Sequence, residues 1–123
     1  MKVIIAGSRF ITDYMIVESA IERSGFAREI TEVDSGGAKG ADVFGERWAQ
    51  LHGVPVRHFP AEWQTFGRRA GFVRNAQMIE YADALILVWD GLSRGAAHTL
   101  LLAEKTGLRH FVVSPFGVRQ KGV

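Results

Sequence analysis

Cysteine is absent from this chain, so neither disulfides nor thiolate metal sites can form. That fits a reducing, cytoplasmic setting. The histidines His52, His58, His98 and His110 fall on separate elements without ligand spacing, so no metal site is expected. No apolar run reaches membrane length, and the N-terminal one, Val3 to Ala6, is too short for a signal peptide. Internal repeats, low-complexity tracts and nucleophile motifs are missing too. So are a Walker A loop, which needs Gly-Lys-Ser/Thr entering a helix, and a Gly-x-Gly-x-x-Gly fingerprint. These absences argue against ATPase and dehydrogenase assignments. Excess charge is also scarce: the pI is 9.3 but the formal net charge is only +2. That surplus is too small to argue for nucleic acid.

What the chain does have is alternation. At 123 residues and 47% hydrophobic composition it is long enough for one domain with a real core. Val3 to Ala6, Ile30 to Val33, Val54 to Phe59, Ala84 to Trp89 and Leu108 to Val113 read as strands. Ala84 to Trp89 is apolar at consecutive positions and is expected to be buried on both faces. Pro55 places its strand at a sheet edge. Between the strands lie helical patterns. One is capped by Thr12 or Asp13 and stopped at Ser24-Gly25. Others run from Ala41 to His52, from Arg68-Arg69 through Ile79, and from Gly95 to Gly107. Pro60 to Gly67, with Trp63 and Phe66, reads as a loop that covers a site. Strands alternating with helices predict an α/β fold whose parallel sheet carries helices on both faces. Right-handed crossovers then bring every strand-to-helix loop to one sheet edge, where such folds bind ligands.

The residues able to carry chemistry sit in those loops. Asp34-Ser35-Gly36-Gly37-Ala38-Lys39-Gly40-Ala41-Asp42 links a strand to a helix through small residues, an arrangement that aims backbone N–H groups at an anion. Within it Ser35, Gly36, Gly37, Ala38, Lys39, Gly40 and Asp42 are the candidate contacts, with Lys39 a point charge beside the donors. Asp42, in the first helical turn, suits the helix dipole even without a ligand. Gly7, Ser8 and Arg9 form a second candidate loop. Trp89, Asp90, Gly91, Ser93, Arg94 and Gly95 form a third, with Ser93 as N-cap and Arg94 as phosphate clamp. Arg74 and Asn75 are within reach of the same edge. Arg9, Lys39, Arg68, Arg69, Arg74 and Arg94 concentrate six of the fifteen basic residues there. Arginine suits bidentate phosphate binding. Trp63, Phe66 and Phe72 are either stacking residues for a base or packing and dimer contacts. Catalytic signals are thin, with Asp42 and Asp90 as the only acids of interest.

Taken together, Gly7-Ser8-Arg9, Ser35 to Asp42, Pro60-Ala61-Glu62-Trp63, Gly67 to Gly71, Arg74 to Met78 and Trp89 to Gly95 resemble the YspA/YpsA-related branch of the SLOG (SMF/DprA–LOG) superfamily. The resemblance covers residues 1–113 as a single domain and leaves 114–123 as a C-terminal tail. It implies a Rossmann-like three-layer sandwich with a mainly parallel five-stranded sheet. It also implies a nucleotide or nucleotide-derived phosphorylated ligand, with no required cofactor, and homo-oligomers paired through helices. The role implied is sensing or sequestering, in nucleotide signalling or phage–host conflict. A nucleotide N-glycosidase of the phosphoribohydrolase type is the alternative. Hydrolytic relatives carry Pro-Gly-Gly-x-Gly-Thr-x-x-Glu; counted from Gly95, Ala96 stands at the threonine and Thr99 at the glutamate, so that acid is missing. Single-stranded nucleic-acid binding, known for another branch, ranks last, because no basic stripe with interleaved aromatics is present.

Overall fold

Val3, Ile4 and Ile5 are wholly buried at consecutive positions, and so are Ala84, Leu85, Ile86, Leu87 and Val88. Strands that are apolar on both faces need cover on both sides, so they belong in the middle of a sandwich. The computed structural model, which describes residues 1–116, places them there. In chain order the elements are β1 (Lys2–Gly7), α1 (Tyr14–Ser24), β2 (Glu32–Ser35), α2 (Ala41–Leu51), β3 (Val56–His58), α3 (Trp63–Phe66), α4 (Ala70–Tyr81), β4 (Ala84–Val88), α5 (Arg94–Thr106) and β5 (Arg109–Val113). The five strands are all parallel and lie in the order β3-β2-β1-β4-β5. The fold is thus the expected Rossmann-like three-layer sandwich, with no antiparallel strand among the described residues.

One face of the sheet packs Val3, Ile5, Val33 and Ile86 against Val17 and Ile21 of α1 and Trp48 of α2. The other packs Ile4, Leu85 and Leu87 against Met78 of α4 and Ala103 of α5. Each fully buried aliphatic side chain contributes about 1.5–3 kcal/mol. Helix ends follow local chemistry. Asp13 is the N-cap of α1 and accepts the Met15 N–H at 2.9 Å, while Gly25 ends the helix in the left-handed region. Pro55 precedes β3, which is an edge strand as its proline requires. Among the described residues no helix is long and apolar enough to cross a membrane.

Several boundaries differ from the sequence expectation. Pro60 to Gly67 is not an open loop: it holds the single turn α3 and runs into a 3₁₀ turn at Gly67–Arg69, so α4 starts at Ala70. Of the tail expected from 114, Phe116 has its ring edge-on to that of Phe10 at 6.0 Å. The tail's remainder, 117–123, lies outside the described residues. The largest shift is in β2, which begins two residues later than the apolar run and takes in Asp34 and Ser35. Both are wholly buried. The strand continues because Asp34 pairs with Ile4 on one side and Arg57 on the other, so the sheet ladder overrides two polar side chains.

Asp34 faces the α4 side, where neither carboxyl oxygen receives a hydrogen bond. Burial, then its contact with Glu32, pushes the Asp34 carboxyl up to about 8. Protonated, it donates to Glu32, which also accepts the Tyr81 hydroxyl at 2.7 Å. Burial acts to raise Glu32 as well, but those two hydrogen bonds and the charges of Arg57 and Lys2 hold it below its ordinary value. Folding therefore retains a proton that the unfolded chain loses near pH 4. The stability linked to this proton is complete below about pH 4 and declines as pH rises through about 8. In Asp34→Asn this part of the decline is expected to vanish, with urea denaturation at pH 5, 7 and 8.5 as the check. An unchanged pH slope would contradict a buried protonated Asp34.

Candidate functional site

In the order β3-β2-β1-β4-β5 the order of strand addition reverses between β1 and β4, so the loops leaving these parallel strands part and open a crevice. Ser8, 2% exposed, stitches that crevice together. Its N–H donates to Val88 C=O at 2.9 Å, its Oγ accepts the Asp90 N–H at 3.1 Å, and its C=O accepts the Ala41 N–H at 3.4 Å. The third bond brings the glycine loop onto the β1 loop. Gly40 permits it: φ is +80°, and a Cβ there would stand 2.3 Å from Ser8 C=O.

Inside the glycine loop the polar groups are already engaged. Ser35 Oγ accepts the Gly37 N–H at 3.1 Å and donates to Glu46 at 2.6 Å. Asp42 Oδ2 accepts the Ala38 N–H at 3.2 Å. From α4, Arg74 reaches across: Nη1 donates to Gly36 C=O at 2.8 Å and Nε to Asn75 Oδ1 at 2.9 Å. A Cβ on Gly36 would lie 2.5 Å from Arg74 Nη1 and 3.0 Å from Asp42 Oδ2. A side chain at that position would displace both groups. Burial pushes the Asp42 carboxyl up to about 6, against the pull of the Ala38 N–H and of Arg74 and Arg9; Glu46 adds to the rise.

Two neighbouring cavities with shared lining residues result. The smaller, about 70 Å³, is lined by Gly7, Asp42, Asn75, Ser93, Gly95 and Thr99 among others. The larger, about 390 Å³, lies between the glycine loop and the segment after β3, with His58, Phe59, Pro60, Ala61 and Trp63 on its wall. Arg9, Ala38 and Arg74 line both. Gly36 and Gly37 line the larger. Ser8, Ser35 and Gly40 lie beneath, holding the loops. Lys39, Trp89, Asp90, Gly91 and Arg94 line neither cavity. Lys39 and Arg94 are exposed, and Trp89 Nε1 donates to Ser93 C=O at 3.1 Å. Asp90 closes a turn by accepting the Leu92 and Ser93 N–H groups at 2.9 and 3.2 Å, which lower its pKa. Arg68, Arg69, Phe66 and Phe72 also stay off both walls, Phe72 packing on His98 at 4.4 Å.

Ser93 is the N-cap of α5 by position, yet its side chain accepts no backbone hydrogen bond. The first backbone bond of the helix is Ala97 N–H to Ser93 C=O, so Gly95 and Ala96 present N–H groups toward the small cavity. Pro60, Ala61 and Trp63 belong to the segment expected to cover a site, whereas sequence reading did not pick out His58 and Phe59 as wall residues; a strand end running into that segment was the available signal. It also passed over Thr99 as a wall residue. The Thr99 hydroxyl donates to Gly95 C=O at 3.1 Å and is 3% exposed. It supplies no acid to the cavity. No group of three or more His, Asp and Glu side chains is placed to hold a metal among the described residues.

A family model described as "YAcAr: YspA, cpYpsA-related SLOG family" matches residues 1–66. The chain is also similar to "Gene 61 protein" of Mycobacterium phage D29, at 32% identity over 118 residues, covering 87% of this chain and 91% of the phage protein. No solved structure gives a significant match.

The stitched crevice yields a direct expectation. Gly40→Ala is expected to lower stability by about 1–3 kcal/mol, because the new methyl group meets Ser8 C=O at an unfavourable φ. Chemical denaturation measures it. A variant as stable as the parent would contradict the close approach of the two loops.

Proposed function

As the chain belongs to the YspA, cpYpsA-related SLOG family, we propose that it binds a nucleotide or nucleotide-derived phosphorylated ligand across the crevice between β1 and β4. The observation that carries this reading is the convergence of Arg9 and Arg74 on two neighbouring cavities at the carboxyl ends of the strands. Arg74 is held by Gly36 and Asn75, so its geometry is set before a ligand arrives. Arg9 is exposed and free to close onto an anion. Each charge-assisted hydrogen bond contributes about 1.5–3 kcal/mol. Four such bonds supply about 6–12 kcal/mol before the entropy of association, so a micromolar ligand, at about 8 kcal/mol net, also needs burial of its base. The larger cavity offers Trp63, 60% exposed, as a face for a nucleobase.

A sensing or sequestering role follows from binding without turnover, and the phage relative suits a place in nucleotide signalling or phage–host conflict. The family resemblance extends the proposal to homo-oligomers. One observation favours a second reading, N-glycosidic hydrolysis: Asp42 is a cavity carboxyl pushed to about 6, within the range of a general acid. Chromatography of nucleotides incubated with the pure protein decides between them, and binding alone predicts intact nucleotide.

The binding reading is tested by thermal shift against mononucleotides, dinucleotides, cyclic nucleotides and nucleoside diphosphate sugars. A ligand at 100 times its Kd is expected to stabilise the protein by about 2.7 kcal/mol, a rise of several degrees. Arg9→Ala is expected to weaken that ligand at least tenfold while leaving the ligand-free melting temperature within about a degree. No shift with any member of the panel contradicts the proposal.

A further inference from the structure

Arg9 and Arg74 line both cavities and so mark the waist of the crevice, but only Arg74 is held by a chain of side chains. Its Nε donates to Asn75 Oδ1 at 2.9 Å. On the far side the Asn75 amide nitrogen lies 3.4 Å from Gly95 C=O and 3.4 Å from His98 Nδ1. The chain thus runs from α4 to the first turns of α5. Asn75 is 6% exposed, so its amide depends on these partners.

Donor and acceptor chemistry leaves one arrangement. A guanidinium only donates, so the Asn75 atom facing Arg74 is the oxygen. A backbone carbonyl only accepts, so the atom facing Gly95 is the amide nitrogen, and the two requirements agree. His98 Nδ1 therefore meets an N–H group and accepts it, which fixes the ring as neutral with its proton on Nε2. Proton uptake at Nδ1 sets N–H against N–H. Turning the Asn75 amide over gives no relief, because nitrogen then faces Arg74 and oxygen faces the Gly95 carbonyl.

The surroundings of His98 favour the neutral ring. Phe72 of α4 lies against it with ring centroids 4.4 Å apart, and burial lowers its pKa from the ordinary value. The titratable groups of α4 are Arg74, beyond Asn75, and Glu80 and Tyr81 toward the helix end. Arg68 and Arg69 lie in the turn before α4, Asp90 lies in the turn before α5, and β4 has none. Those of α5 itself are Arg94, Glu104 and Lys105. Burial alone accounts for the shift.

We propose that His98, which lines neither cavity, is a positioning residue for Arg74: in its neutral form it holds the Asn75 amide, and on taking up a proton it releases Asn75 and loosens Arg74. One of the two cations at the waist is thereby under the control of a proton bound outside the cavities. Anion affinity falls with pH as His98 becomes charged. That consequence rests on the binding reading above, whereas the linkage between His98 and Arg74 does not.

NMR of the ligand-free chain tests the linkage. At pH 7.5 the His98 ring nitrogens are expected to report the Nε2–H tautomer. As pH falls to 5 the Arg74 Nε–H signal is expected to move with the midpoint of the His98 ring. His98→Gln offers Asn75 an acceptor oxygen that does not titrate, and there the movement linked to His98 is expected to vanish. Asp42, which titrates at about 6, is common to both proteins and drops out of the comparison. Sulfate, whose charge is constant over this range, reads the effect on anion binding. Between pH 7.5 and 5 the parent is expected to lose at least about threefold in sulfate affinity relative to His98→Gln. An Nδ1–H tautomer, or an Arg74 signal that ignores the His98 titration, overturns the inference, and both are read on the parent if the variant does not fold. A relative gain in sulfate affinity by the parent at pH 5 overturns it as well, since the imidazolium then attracts the anion directly. Absence of sulfate binding by either protein counts against the binding reading, and the Arg74 signal still decides the linkage.

Discussion

Ser8 is where the molecule is tied together. Three of its polar atoms hold three separate segments: the end of β4, the turn that follows it, and the start of α2. Sheet order makes this junction necessary, since the loops leaving β1 and β4 diverge at the point where strand order reverses. Without a buried polar anchor the crevice between them would gape and its backbone groups would lie unpaired. Small residues allow the close approach. A Cβ at Gly7 would sit 1.9 Å from Val88 C=O, and one at Gly40 would sit 2.3 Å from Ser8 C=O. Arg9 follows directly on this anchor, so the cation at the waist of the site is positioned by the same few hydrogen bonds that close the fold.

Two buried carboxyl groups then divide the labour between fold and site. Asp34 lies in mid-sheet with no hydrogen-bond donor of its own and is kept neutral, a proton shared with Glu32. Asp42 lies eight residues on, at the start of α2, where the Ala38 N–H and the nearby arginines pull it back toward ionisation. The difference is environment and not residue type: desolvation dominates at the first, while donors and cations offset it at the second. Gly36 sits between Asp42 and Arg74, so the acid and the base share one narrow gap without forming an ion pair within 4 Å. Both remain available to a ligand.

The strands, the parallel sheet and the edge position of β3 were legible from apolar runs, alternation with helices and Pro55. Loop positions were legible for the same reason, since topology assigns them to one edge. The end of β2 was not. Polar residues read as loop, and only the neighbouring strands keep Asp34 and Ser35 in the ladder. Side-chain direction was the other blind spot. Lys39 and Arg94 stand in the expected loops yet line neither cavity, while Arg74 arrives from α4 to contact Gly36. Sequence spacing says which loop carries a charge; only packing says which charges meet. The part of the wall made by His58 and Phe59 was hidden because a short edge strand does not show which of its residues turn toward the loops.

The central claim is that phosphate charge settles between Arg9 and Arg74. NMR titration of the guanidinium and backbone amide signals with the tightest-binding nucleotide tests it most directly. Saturable shifts at Arg9, Arg74 and Gly36 to Ala38, with β5 and the exposed face of α1 unmoved, are the predicted result. Saturable shifts centred elsewhere, with the two arginines silent, would contradict the account.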